Sequence, residues 1–344
     1  MRFNFLRKVS ITWKVLAGAI SWLLLISFLH YRLNFERQDR RIITLGYMPV
    51  ITNLSAPLLD QASKDVTAGS YRFVAMKFAS FAEMAESLRH GHIDGAFIIA
   101  PLSIVLKQQG EDIKIVYIGN RHESTFVTRK DLNIQSLKDL EGKTIAVPIR
   151  YSGHNLAVRR LLAEKAPLMD VNIVEMNPPD MAAALGAGSL DGYFVGEPFA
   201  AKTLFAGKSQ RFYYAEEIWN GFICNLLIVR QHLINTEPNA VKALVTGSIR
   251  AGLWAKEHQD DAADIAAKYW NQPVDLVKYA MNTPANRILF DRFVPKDKEM
   301  QEIADLMLRF GLTESSEIKG LVDASFAERA DVHGITNLRS VLPH

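Results

Sequence analysis

The sequence predicts an α/β protein of two lobes facing each other across a cleft, and three observations carry that prediction. An eighteen-residue pattern occurs twice, 97 positions apart: MAESLRHGHIDGAFIIAP from Met84 to Pro101, and MAAALGAGSLDGYFVGEP from Met181 to Pro198. Each copy reads as a helix end, a glycine stop at Gly91 or Gly188, an Asp-Gly turn, and a short apolar strand closed by proline. The 344 residues, 49% hydrophobic and 22% charged, suffice for two cores and an appendage. In open α/β sheets the ligand crevice lies beyond the carboxyl ends of the strands, so Ala100-Pro101 and Glu197-Pro198 are expected on opposite walls of one cleft. Asp94 and Asp191 are read as structural, because an Asp-Gly turn before a strand needs no ligand.

The elements follow in order. Arg2, Arg7, Lys8 and Lys14 precede the uncharged run Val15 to Leu29, whose fifteen residues match the upper end of a signal-peptide core. No small-x-small cleavage site follows and no cysteine is available there for a lipid. An uncleaved anchor over Ile11 to Tyr31 is therefore predicted, with Trp13, Trp22 and Tyr31 at the interfaces and Lys14 snorkelling. A cleaved signal is the alternative. Four basic residues before the run are matched by Arg32, Arg37, Arg40 and Arg41 after it, so charge does not set the orientation. NFERQDRR, Asn34 to Arg41, is a charged tether, and residues 1–41 are taken as anchor plus tether.

The folded part is expected to begin at Ile42. IITLGYM is a first strand, followed by a turn over Pro49 to Asn53 and a helix from Ser55, with Ser55 as its cap. Strands follow near Tyr71 to Met76 and over Ile113 to Gly119, with the first repeat copy between them. Thr144 to Val147 is read as the first strand of the second lobe, followed by the loop IRYSGHN, the helix AVRRLLAEKA, the strand NIVEMN and the second copy. Ile223 to Arg230 is a strand returning to the first lobe, and helices are expected around 240–257, 261–269, 274–280 and 297–310. The first lobe is thus assigned residues 42–128 and 225–344, and the second 129–224. Beyond Ser325 weak periodicity predicts a loosely packed tail.

Charge and cysteine count exclude several classes. A formal charge of +3 with no basic block lacks the electrostatic footprint of a nucleic-acid binder. One cysteine, Cys224, excludes an intrachain disulfide and multi-cysteine metal sites, and is read as a small buried hydrophobe. No Ser-His-Asp order, HExxH, Walker A or paired His/Cys spacing is present, so no enzyme activity, cofactor or metal is expected.

Five segments carry a resemblance: LGYMPVITNLSAPLL, IDGAFIIAPLSIVLKQQG, DLNIQSLKDLEGKTIAV, YSGHNLAVRRLL and NPPDMAAALGAGSLDGYFVGEPFAA. Together they resemble the solute-binding proteins of ABC importers, in the nitrate, bicarbonate, sulfonate and taurine branch, over about Ile42 to Leu312. The resemblance implies a type II periplasmic-binding fold, two α/β lobes on two crossover strands. It also implies a monomeric, extracytoplasmic protein that captures a small solute and delivers it to a membrane permease and its ATPase. Ile218-Trp219 is followed by NGFICN, so the basic residue that the nitrate-type subgroup carries there is missing. A membrane-tethered solute sensor and a binding protein for pyrimidine precursors of thiamine are the alternatives; pyrimidine-synthesising enzymes of this fold would require a cysteine cluster.

Candidate ligand-binding residues lie in the loops. Backbone N–H groups near Ser152, Gly153 and His154 converge at a helix start, where an anion is favoured, and Ser152 and His154 add side-chain donors. The resemblance matches His154 to the family's helix-start histidine and Glu197 to its Gly-Glu-Pro acid. Thr52 and Asn53 occupy the first strand-to-helix loop, Pro101 and Ser103 form a second edge of the first lobe, and Asn225 lies near the hinge on the returning strand.

Overall fold

Two five-stranded sheets organise the chain in a computed structural model whose described residues are 10–34, 40–65 and 70–342. The strands in chain order are β1 (Arg41–Tyr47), β2 (Tyr71–Lys77), β3 (Gly95–Ile99), β4 (Ile113–Ile118), β5 (Ser124–Arg129), β6 (Thr144–Val147), β7 (Asn172–Glu175), β8 (Gly192–Gly196), β9 (Ser209–Tyr214) and β10 (Asn225–Arg230). The first sheet runs β2-β1-β3-β10-β4 and the second β7-β6-β8-β5-β9. Within each, a single strand is antiparallel to its neighbours: β10 between β3 and β4, and β5 between β8 and β9.

The repeat copies fall in different sheets, ending in β3 and β8 at equivalent positions. Both glycine stops have positive φ, +73° at Gly91 and +79° at Gly188, a conformation that glycine adopts without the Cβ penalty. Asp94 accepts the N–H of Thr44 at 2.7 Å, and Asp191 accepts that of Thr144 at 2.9 Å. Each carboxylate therefore pins the first parallel strand of its own lobe to the turn before β3 or β8.

The sheets are buried on both faces, which explains why their strands read as apolar runs rather than as alternation. On β10, Leu227 and Val229 face a core formed with the helices Ser55–Asp65, Pro238–Glu257 and Gln259–Trp270, while Leu226 and Ile228 face one formed with Phe81–Arg89, Ala100–Gln108 and Asp297–Arg309. In the second lobe Phe126 and Phe194 serve one face, and Val127, Tyr193 and Val195 the other.

Three expectations need correction. β5 lies, but for its last residue, inside the span assigned to the first lobe, yet it pairs with β8 and β9, so the chain crosses before Ser124 and Thr144 does not open the second sheet. Ser55 is the first residue of its helix rather than a cap, because a 3-10 turn, Ile51–Asn53, leads in; its hydroxyl has no hydrogen-bond partner among the described residues. The tail beyond Ser325 is not loose: Ala327 and Val341 are buried in the first lobe's core. Arg250 donates from Nε and Nη2 to the Ser340 carbonyl, and from Nη1 to those of Asp331 and His333.

At the other end the helix Ile11–Asn34 stands clear of both lobes. Its stretch Ile11–Arg32 is long and apolar enough to cross a membrane and buries none of its surface on the protein. Arg2, Arg7 and Lys8, and the tether residues 35–39, lie outside the described residues.

Candidate functional site

The strand-to-helix loop of the first lobe is ordered by amide side chains. Asn53 donates from Nδ2 to the Met48 carbonyl at 2.9 Å, and its Oδ1 accepts Nδ2 of Asn225, at the start of β10, also at 2.9 Å. Both residues are fully buried. Thr52, 1% exposed, has its hydroxyl beside the Cys224 sulfur and no nitrogen or oxygen partner among the described residues. Pro101 sits in the first turn of its helix, whose Ala100 donates its N–H to the Cys224 carbonyl at 3.0 Å. The Ser103 hydroxyl donates to the Ala100 carbonyl at 2.6 Å.

The second lobe contributes the helix Gly153–Lys165. Ser152 caps it, its hydroxyl accepting the Asn155 N–H at 3.1 Å. Gly153 allows a close approach, since a Cβ there would lie 3.1 Å from the Ile223 carbonyl and from the Phe222 ring, tighter than an ordinary contact. His154 does not face solvent: it is 1% exposed, set edge-on against Phe194 and Phe222. Burial lowers its pKa to about 3, so the ring is neutral. Its Nε2 lies 2.9 Å from Ser124 Oγ, and Ser124 Oγ in turn donates to Glu123 Oε1 at 2.8 Å. With the serine proton directed at the carboxylate, the contact is met by the tautomer protonated at Nε2, which leaves Nδ1 as an acceptor with no partner among the described residues.

Glu197 is 3% exposed at the junction of the lobes. Thr125 Oγ1 and the Ala201 N–H lie 2.7 Å from its two carboxyl oxygens, and its carbonyl accepts the Ile51 N–H from the first lobe. Burial raises its pKa to about 7, against the opposing pull of Arg287 and these hydrogen bonds. Glu123 is likewise raised by burial, and it accepts the Glu197 N–H at 2.7 Å.

Thr52, Asn53, Ser152, Gly153, His154, Glu197 and Asn225 therefore gather where the lobes meet, with Pro101 and Ser103 in the adjoining helix. Cys224, 4% exposed, stands at the centre, its sulfur 3.9 Å from His154 Nε2. Burial and the charge of Glu123 hold its thiol well above its ordinary pKa, so it is protonated in its buried position. Sequence reasoning missed Glu123, Ser124, Thr125 and Arg287; only the polar run His122 to Thr125 before an apolar pair was a signal for the first three. Beside the junction a cavity of about 100 Å³ opens between Gly153, Trp219 and Gly221 on one side and Ile223, Arg292 and Glu299 on the other. Among the described residues no group of three or more His, Cys, Asp or Glu side chains is placed to hold a metal ion.

Residues 36–270 match the NMT1-like family. The chain belongs to that family. A relative of this NMT1-like chain, a Bacillus subtilis protein provisionally named for binding aliphatic sulfonates, is 29% identical over 215 residues, 59% of this chain and 61% of its own length. The chain thus spans about three-fifths of that curated relative. Two solved structures share the fold. The ligand binding component of an ABC-type import system from Staphylococcus aureus has a TM-score of 0.76 at 22% identity, covering 85% of this chain and 100% of its own. The periplasmic nitrate-binding protein NrtA from Synechocystis PCC 6803 has a TM-score of 0.71 at 17% identity, covering 84% and 88%. This NMT1-like chain therefore has the periplasmic-binding-protein fold.

Proposed function

We propose that this chain is the solute-binding component of an ABC importer, tethered outside the cytoplasm by its N-terminal helix, which closes two lobes on a small solute and presents it to a membrane permease and its ATPase. One observation carries this reading: polar atoms from both lobes that meet no nitrogen or oxygen partner among the described residues, Thr52 Oγ1 beside the Cys224 sulfur and His154 Nδ1, are buried in a single junction between two lobes of periplasmic-binding fold. Buried polar groups are ordinarily hydrogen-bonded, so such an atom from each lobe supports a third molecule as their shared partner. The helix start at Ser152 to His154 favours an oxyanion or sulfonate, the classes named for the relatives. The buried Glu123 and Glu197 favour instead a small organic molecule that is neutral or bears N–H groups.

A thermal-shift screen of the full chain in micelles, across oxyanions, sulfonates, aminopyrimidines and polyamines, tests the reading. A solute at a hundredfold excess over Kd stabilises by about 2.7 kcal/mol. A hit lost in His154→Ala, with the variant folded, supports this site. No stabilisation by any class, or a hit unchanged in that variant, overturns it.

A further inference from the structure

One cation of the first lobe is committed wholly to the second. Arg287 lies in the segment after the helix Val274–Asn282, where Ile288 and Phe290 pack into the first lobe's core and Leu289 exchanges backbone hydrogen bonds with Arg121. Its guanidinium nevertheless points out of that lobe. Nη1 donates to Thr125 Oγ1 at 3.1 Å, Nη2 donates to the Ser124 carbonyl, and Nε donates to Glu216 Oε1 at 3.0 Å. The guanidinium carbon also lies 4.0 Å from the centre of the Tyr214 ring. Every one of these partners belongs to β5, β9 or the short helix Ala215–Ile218.

The burial makes this an arrangement with two discrete states. The Arg287 side chain is 4% exposed and that of Glu216 is 24% exposed. Withdrawing a guanidinium from such a socket leaves a half-buried carboxylate and two buried acceptors without their donor, so partial release is disfavoured. Two of the partners also order the polar junction: Thr125 Oγ1 binds Glu197, and Ser124 binds His154 through its hydroxyl.

We propose that Arg287 is an interlobe clamp: docked in the second lobe it holds the cleft shut and sets Ser124 and Thr125, and through them His154 and Glu197, so that a solute enters only when Arg287 withdraws. The mention of a solute rests on the binding-protein reading, whereas the clamp is tested without one. Cys224 supplies the reporter, being the chain's single cysteine and buried against His154 at the junction.

The full chain in detergent micelles is treated with N-ethylmaleimide, without solute, and modification is followed by intact mass for the wild type, Arg287→Ala, Arg287→Lys and Glu216→Gln. Loss of a buried charge-assisted hydrogen bond corresponds to about a ten- to 150-fold larger open population, and Arg287→Ala is expected to speed labelling by that factor. Arg287→Lys keeps the charge but not the fork, so its rate falls between wild type and Arg287→Ala, and Glu216→Gln gives a smaller rise. Removing a cation disfavours the thiolate, so faster labelling reports access and not acidity. Arg250→Lys, which loosens the tail away from the junction, is the control for general destabilisation and leaves the rate near the wild-type value. Unchanged rates in the folded Arg287 and Glu216 variants, or an equal rise in Arg250→Lys, overturn the clamp. If Arg287→Ala does not fold, Arg287→Lys and Glu216→Gln decide by the same criterion. A clamp that fails here leaves the solute screen standing, and a failed screen leaves the labelling rates standing.

Discussion

Replacing Glu197 by glutamine is expected to remove a defined part of the protein's pH dependence. The carboxyl group is 3% exposed, and burial raises its pKa from 4.5 to about 7. Below pH 4.5 both folded and unfolded chains hold this proton. Between 4.5 and 7 the unfolded chain releases it while the folded protein keeps it, so stability falls across that window and is flat above it. At about 1.4 kcal/mol for each pH unit, the loss is about 3 kcal/mol. Thr125 Oγ1 and the Ala201 N–H each donate to a carboxyl oxygen at 2.7 Å, which favours the charged form, and burial outweighs them. An amide keeps a carbonyl oxygen to accept the Ala201 N–H and does not titrate. Urea unfolding of both proteins from pH 4 to 8, followed by tryptophan fluorescence, gives the test. Half-buried His122 and buried His154, lowered to about 4 and about 3, titrate in both proteins and cancel in the difference. The advantage of Glu197→Gln over the wild type should grow by about 3 kcal/mol toward high pH. A difference that changes by less than about 1 kcal/mol over the range would refute the reasoning.

Thr52→Val replaces a buried hydroxyl, without a nitrogen or oxygen partner among the described residues, by a methyl group of the same shape, so stability is unchanged or slightly raised while affinity for a solute found by screening falls about two- to twelvefold; calorimetry with an unaltered Kd would remove Thr52 from the site. Arg250→Ala deprives three tail carbonyls of a guanidinium that is 6% exposed, at a cost of about 2 to 4 kcal/mol. Limited proteolysis should then cleave the tail between Asp323 and Ser340 well before the lobes, and an unchanged cleavage pattern would show that the tail is held by other contacts.

How much of this was legible depended on whether a feature is local. The repeat was readable because a helix stop, an Asp-Gly turn and a buried strand are each specified by neighbouring residues, and Asp94 and Asp191 act on strands of their own lobes. β5 was not: STFVTR carries a mixed pattern, and its membership of the second sheet follows from pairing with β8, more than 60 residues on. β9 is an edge strand with partly exposed residues, which weakens its apolar signal. At the junction, Thr52, Asn53 and His154 followed from the rule that loops and helix starts beyond strand ends face the crevice. Glu123 and Ser124 are functional neighbours only through the hydrogen bonds that join β5 to the helix of His154. Arg287 is brought in by tertiary folding alone.

The position of β10 has a consequence for the way the protein is made. All five strands of the second sheet lie in one continuous run from Ser124 to Tyr214, whereas the first sheet takes its fourth strand from beyond that run and seats it between β3 and β4. A chain emerging from its N-terminus therefore completes the later lobe before the earlier one. Until Asn225 to Arg230 arrive, β3 and β4 border an open seam with unpaired backbone groups along both edges, and β10 is the strand that seals it.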